Sequence, residues 1–214
     1  MPPRFSTVLF DCDSTLSTIE GITELAGRCR EEVARLTDLA MDGTAPLEDV
    51  YGRRLELIRP TRAEVEGLGR SYAERLVPGA AEVVGALAAA GVEVRILSAG
   101  LAPAVRTLAR HLGLPDQAVA AVEVEFSASG EYQGFDRGSP LTRAGGKREW
   151  IEQAGLRRPI LLVGDGATDL EAGPAVDCFV AFTGVVRRPS VAAGADHEIA
   201  GPSLRPLIEL VLGG

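Results

Sequence analysis

The sequence predicts an α/β fold: a mostly parallel sheet covered by helices on both faces, with a block of helices inserted after the first strand. Three observations carry this. Wholly apolar runs at 8–10, 160–163 and 178–182 are short and lack alternation, as strands buried on both faces do. From Pro78-Gly79 onward, such runs alternate with amphipathic stretches, the rhythm of βαβ units. Between about residues 18 and 76, apolar residues recur only at helical spacing, and no strand-like run interrupts them.

Residues 4–11 read as the first strand. Four apolar stripes follow: Ile19, Ile22, Leu25 and Ala26; Val33, Leu36, Leu39 and Ala40; Val50, Leu55 and Ile58; Val65, Leu68, Tyr72 and Leu76. Gly43 and Pro60 break the helices between stripes. An Ala-rich helix at 80–90 stops at Gly91, a strand spans 92–97, and Ser98-Ala99-Gly100 forms the turn after it. Pro103 opens a helix to about residue 111. A strand at 119–126 leads into a hairpin around 131–134. A helix begins at Lys147. The strand at 160–163 ends in Gly164-Asp165-Gly166-Ala167-Thr168-Asp169 and a short helix. A strand at 178–182, a helical turn from Pro189, a short strand at 197–200 and a helix at 204–212 close the chain.

The 214 residues are 46% hydrophobic, enough for one core domain with a smaller insertion. The net charge is -8, and no basic cluster exceeds an Arg pair, which argues against a nucleic-acid partner. No apolar stretch is long enough to span a bilayer, and residues 1–5 lack an apolar targeting core. Cys12, Cys29 and Cys178 show no paired spacing, which fits a reducing, cytoplasmic setting. Of 22 basic residues, Lys147 is the one lysine. A compact ammonium enters a crowded anion site where a planar guanidinium does not fit.

In open α/β sheets, ligands bind beyond the C-terminal ends of the strands. Three polar clusters fall there: Asp11-Cys12-Asp13-Ser14-Thr15, Ser98-Ala99-Gly100, and Gly164 to Asp169. Lys147 sits at a helix start facing the same edge. Asp11, Asp13, Asp165 and Asp169, with no His or Cys ligand set beside them, suit a hard cation, so Mg²⁺ is expected over Zn²⁺. A divalent cation, a lysine and the hydroxyls of Ser14, Ser98 and Thr168 beside Gly turns make a phosphate site. Gly145-Gly146-Lys147 is not a P-loop, because Leu141 and Arg148 stand where that motif needs glycine and a hydroxyl. His111 and His197 stand alone. Arg187-Arg188-Pro189-Ser190 is too short a pattern to mark a modification site. Cys12, between two acids, is placed in the core.

Asp11-x-Asp13-x-Thr15, Ser98, Lys147 and Gly164-Asp165-Gly166-x-x-Asp169 resemble, in order and spacing, the four motifs of the haloacid-dehalogenase superfamily of phosphohydrolases. Within it, Glu20-Gly21-Ile22, Met41-x-Gly43, Arg54-Leu55, Gly134-Phe135-Asp136 and Gly145-Gly146-Lys147 resemble the phosphoserine phosphatase family. The resemblance implies a Rossmann-like core over 1–16 and 77–214 and a helical cap over 17–76. It implies Asp11 as nucleophile, and Mg²⁺ held by Asp11, Asp165 and the Asp13 backbone carbonyl, with Asp169 supporting the metal shell or orienting Lys147. Ser98, Ala99, Gly100, Lys147 and Thr168 would contact the phosphoryl group. Asp13 would be general acid and then general base, its pKa raised by neighbouring Asp11. In the cap, Glu20 would take the ammonium and Arg54 the carboxylate of phosphoserine, with Met41 and Leu47 as pocket walls. The implied reaction is the last step of serine synthesis. Transfer to another alcohol such as homoserine, or action on another small phosphomonoester, needs the same residues. A dehalogenase is disfavoured, because Asp13 and Asp165 indicate a metal. Ala99 and Leu47 depart from the family, which often has glycine and a bulkier aromatic there.

Overall fold

A computed structural model describes residues 2–213. In chain order the strands are β1 (Thr7–Phe10), β2 (Glu93–Leu101), β3 (Val119–Val122), β4 (Val124–Phe126), β5 (Tyr132–Phe135), β6 (Ile160–Gly164), β7 (Cys178–Phe182) and β8 (His197–Ile199). The helices are α1 (Gly21–Glu24), α2 (Arg30–Met41), α3 (Leu47–Ile58), α4 (Arg62–Glu74), α5 (Ala80–Ala89), α6 (Ala102–His111), α7 (Gly146–Gln153), α8 (Ala167–Ala172), α9 (Pro189–Gly194) and α10 (Pro206–Leu212).

Six strands form one sheet in the order β3-β2-β1-β6-β7-β8, and every pair in it is parallel. β1, β6 and β7 are buried along their whole length, which is why their sequences are apolar without alternation. The chain builds outward from β1 to β2 and β3, then returns to lay β6 on the other flank of β1. The tips of β1 and β6 therefore border the point where the strand order reverses, the place such sheets bind ligands.

Helices α1 to α4 form one block between β1 and α5. The chain enters and leaves it side by side: Ser17 and Leu76 form an antiparallel bridge, and the Val77 N–H donates to the Leu16 carbonyl at 2.9 Å. Thr61 starts α4 with a reciprocal capping box, its hydroxyl accepting from the Glu64 N–H while Glu64 accepts from the Thr61 N–H. β4 and β5 form an antiparallel hairpin outside the main sheet. It braces the block: Arg62 N donates to the Gly130 carbonyl at 2.8 Å, and Tyr51 meets Phe135 edge-on, with ring centroids 5.2 Å apart.

Two expectations need correction. Residues 119–126 are two strands in two sheets, parted at Glu123. Ser98-Ala99-Gly100 is no turn: β2 runs on through Leu101, where it pairs with Val122 after a register shift. Small, polar Ser-Ala-Gly looks like turn composition, yet here it packs closely, since a Cβ on Gly100 would lie 3.1 Å from Ser98 Oγ and 3.2 Å from Val105 Cγ2.

Candidate active site

Asp11 directly follows β1, and its N–H donates to the Val163 carbonyl at 2.9 Å, extending the sheet ladder by one residue. Its Oδ1 accepts from the Cys12 N–H at 2.8 Å and lies 2.9 Å from Lys147 Nζ. Lys147 stands in the first turn of α7 and is only 3% exposed. Its ammonium also donates to Asp169 Oδ1 at 2.6 Å. Burial alone would lower the Lys147 pKa; the carboxylates of Asp11 and Asp169 overcome it and hold it above its ordinary value. Asp169 Oδ2 accepts from the Gly166 N–H at 3.1 Å. Gly164 permits this placement, since a Cβ there would lie 2.1 Å from Asp169 Cγ.

Carboxylate oxygens of Asp11, Asp165 and Asp169 all lie within 4.8 Å of one another. The Asp13 carboxylate is not in that group. Its side chain turns to the helical block, where Oδ1 accepts from the Gly21 N–H at 2.5 Å and the Tyr72 hydroxyl at 2.7 Å. β1 has ended at Phe10, so strand alternation no longer sets the direction of Asp13. Burial pushes the Asp13 carboxyl up to about 7, with Glu20 and then Asp11 adding repulsion. The expected cause, Asp11, is thus a minor one. Burial likewise raises Asp165 and Glu20, and pushes Asp169 up to about 6 against the pull of Lys147.

One narrow cleft is lined by Asp11, Asp13, Glu20, Ile22, Met41, Arg54, Ser98, Ala99, Lys147 and Thr168. It brings together most of the expected site residues. Gly100 lies beside it, its N–H donating to Ser98 Oγ at 2.9 Å. Leu47 lines the adjoining pocket, which shares Thr168 with the cleft. Glu20 accepts from the Ser14 hydroxyl at 2.6 Å, and Ser14 holds a left-handed backbone, φ 52°. Ala99 is absent from the positive-φ residues, so its methyl imposes no backbone strain. Tyr51, from α3, donates to the Ala99 carbonyl at 2.8 Å.

Arg54 is 3% exposed. Its Nη1 donates to Thr37 Oγ1 at 3.0 Å, while its Nε is buried without a partner. Arg54 lines the cleft, so its guanidinium has hydrogen-bonding capacity that the protein leaves unused beside it. Arg188 is the residue that sequence reasoning passed over. It is 5% exposed; its Nη1 pairs with Asp165, and its Nε donates to Asp42, just past α2, at 3.0 Å. Its Arg-Arg setting concealed it, because nothing in a chain rich in arginine sets one apart.

The donor set fits a hard divalent cation. Five acids (Asp11, Asp13, Glu20, Asp165 and Asp169) gather with three bases (Lys147, Arg54 and Arg188) around this cleft, a surplus of two acids. Oxygen is the only donor type in the Asp11, Asp165 and Asp169 group.

This sheet order and this constellation of acids define a class, and the chain belongs to the haloacid dehalogenase-like hydrolase family, whose model matches residues 8–173. Within that class, the phosphoserine phosphatase of Rattus norvegicus is 38% identical over 197 residues, covering 90% of this chain and 88% of the relative. The chloroplastic phosphoserine phosphatase of Arabidopsis thaliana is 39% identical over 199 residues, covering 90% and 68%. A solved phospho-aspartyl intermediate analogue of phosphoserine phosphatase matches with a TM-score of 0.81 at 27% identity, over 96% of this chain and 98% of that one. A substrate-bound phosphoserine phosphatase complex matches with a TM-score of 0.81 at 26% identity, with the same coverage.

Proposed function

We propose that this chain is a Mg²⁺-dependent phosphoserine phosphatase that hydrolyses O-phosphoserine to serine and phosphate through an aspartyl-phosphate on Asp11, the last step of serine synthesis. One observation carries the reading: a single cleft joins the Asp11–Lys147 pair to Glu20 and to Arg54 with its unpartnered Nε. The first pair suits a phosphate, the second an ammonium and a carboxylate. The phosphoserine phosphatase names of the relatives support the same reading. The three free cysteines fit a cytoplasmic setting, and no helix among the described residues is long and apolar enough to cross a membrane.

Residues 17–76 act as a cap over a core of 1–16 and 77–214. Asp11, Asp165 and the Asp13 backbone carbonyl would hold Mg²⁺, which when bound supplies charge neutralisation between an anionic nucleophile and an anionic phosphate. An Asp11 carboxylate oxygen forms a bond to phosphorus as the phosphorus–seryl oxygen bond breaks. The electron pair leaves on the seryl oxygen, which takes the proton from Asp13. Asp13 then accepts a proton from water as the water oxygen bonds phosphorus, and the Asp11–phosphorus bond breaks to release phosphate. Such acid–base help is worth ~10² to 10⁴ in rate. Lys147, fixed between Asp11 and Asp169, holds phosphoryl oxygens with Ser98 as charge builds, beside Ala99, Gly100 and Thr168. Asp169 orients Lys147.

The test is phosphate release from a panel of small phosphomonoesters, with Mg²⁺ or chelator, and with homoserine present or absent. Phosphoserine is expected to lead the panel, with turnover lost on chelation and in Asp11→Asn. A different phosphomonoester in the lead would overturn the substrate, and a phosphorylated homoserine product would move the acceptor from water to alcohol.

A further inference from the structure

Tyr72 is wholly buried in the last turn of α4, and its helical spacing alone accounts for the ring. The hydroxyl needs another reason, because a phenylalanine fills a core as well. It donates to Asp13 Oδ1 at 2.7 Å, the oxygen that also accepts from the Gly21 N–H at 2.5 Å. Glycine at 21 makes room for this approach, since a Cβ there would lie 1.9 Å from Tyr72 Oη. Both donors belong to the helical block and both engage Oδ1. Asp13 Oδ2 points to the end of β2 instead. A Cβ on Gly100 would lie 3.4 Å from Asp13 Oδ2 and 3.1 Å from Ser98 Oγ, so Oδ2 borders the phosphoryl-binding residues.

The two carboxyl oxygens of Asp13 therefore have separate work. We propose that Tyr72 is a positioning residue for proton transfer: with Gly21 it saturates Oδ1 and fixes the carboxyl, so that Oδ2 carries the proton to the leaving oxygen. The inference rests on the phosphatase reading above. It also ties acid–base chemistry to the seating of α4, because Tyr72 reaches Asp13 only while α4 lies against the core.

The consequence depends on the leaving group. A seryl alkoxide needs a proton as its bond to phosphorus breaks, whereas p-nitrophenolate departs without one. In the full-length, Mg²⁺-loaded protein, Tyr72→Phe is expected to lower kcat/KM for phosphoserine by about 10-fold or more, within the ~10² to 10⁴ that acid–base catalysis supplies as a whole. The value for p-nitrophenyl phosphate should change by about 2-fold or less, and phenyl phosphate should fall between, since the demand for the proton sets the loss. Gly21→Ala, which crowds the same hydroxyl, should reproduce that order. Equal losses on alkyl and p-nitrophenyl phosphates in Tyr72→Phe would make the hydroxyl a packing feature and overturn the inference while leaving the phosphatase reading intact. A wild-type protein inactive on both substrates would overturn the phosphatase reading, and this inference with it.

Discussion

Lys147 shows how a single side chain is constrained by chemistry. Its ammonium sits 2.9 Å from Asp11 and 2.6 Å from Asp169 in a fully packed setting. A guanidinium is broader, planar and carries five donors, too many for two carboxylate contacts in this space. Lys147→Arg is therefore expected to lower phosphatase turnover by about 10²-fold or more, the scale of a lost preorganised donor. Turnover within a factor of two of wild type would make the solitary lysine an accident of composition. Arg188 bears on the same cluster from the other side. Removing it leaves Asp165 with only the Thr15 hydroxyl, 3.5 Å away, and breaking such a buried pair costs about 3–5 kcal/mol while the acid is ionised. In Arg188→Met, thermal melts of the chelated protein should show most of that loss, and Mg²⁺ should recover more of it than it adds to wild type. An equal deficit with and without Mg²⁺ would count against Asp165 as a metal ligand. The convergence of Asp11, Asp165 and Asp169 was legible in the sequence because strand ends converge in a parallel sheet, whereas the turn of the Asp13 carboxylate toward the helical block was not. Arg188 and the Tyr72 hydroxyl were not, because one is an arginine among many and the other lies in an apolar stripe whose period explains its ring.

At the scale of elements, α4 carries the helical block onto the core, and two glycines one turn-fraction apart test how. Gly69 packs on α6, where a Cβ would lie 2.6 Å from Thr107 Cβ. At Gly67 the nearest atom to a new Cβ is the flexible Arg70 Nη2, at 3.6 Å. Replacing a helical glycine by alanine ordinarily stabilises by about 0.5–1 kcal/mol. Gly67→Ala should show that gain. At Gly69 the overlap with α6 outweighs it, since overpacking costs about 1–3 kcal/mol, so Gly69→Ala should melt lower than wild type. It should also lose activity on phosphoserine, because any lift of α4 withdraws Tyr72 from Asp13. Melting both variants decides the matter; matching gains would mean that α4 does not seat on α6 through Gly69. The helices themselves were readable from apolar spacing alone. The extension of β2 through Ser98-Ala99-Gly100 was not, because small and polar residues carry the composition of a turn even where pairing with β3 continues the strand to Leu101.

For the whole molecule, the surplus of acids makes stability depend on pH and on the cation together. Asp13 is pushed up to about 7 and Asp169 to about 6, with Asp165 and Glu20 also raised. Burial is the leading cause for each. Acids raised in the folded state keep protons that the unfolded chain has released. Their contribution is fully present below the unfolded carboxylate range, near pH 4, and is lost as pH rises through the folded values, between about pH 4 and 7. Lys147 changes nothing in that window, since it stays charged throughout. The chelated protein should therefore melt progressively lower from pH 5 to pH 8, the reverse of a protein stabilised by carboxylates paired at low pKa. A hard cation needs ionised carboxylates, so added Mg²⁺ should raise the midpoint more at pH 8 than at pH 5 and flatten the profile. A chelated midpoint that rises with pH over this range would mean that the five acids are compensated by the fold itself, and would remove the main physical reason for placing a cation among them.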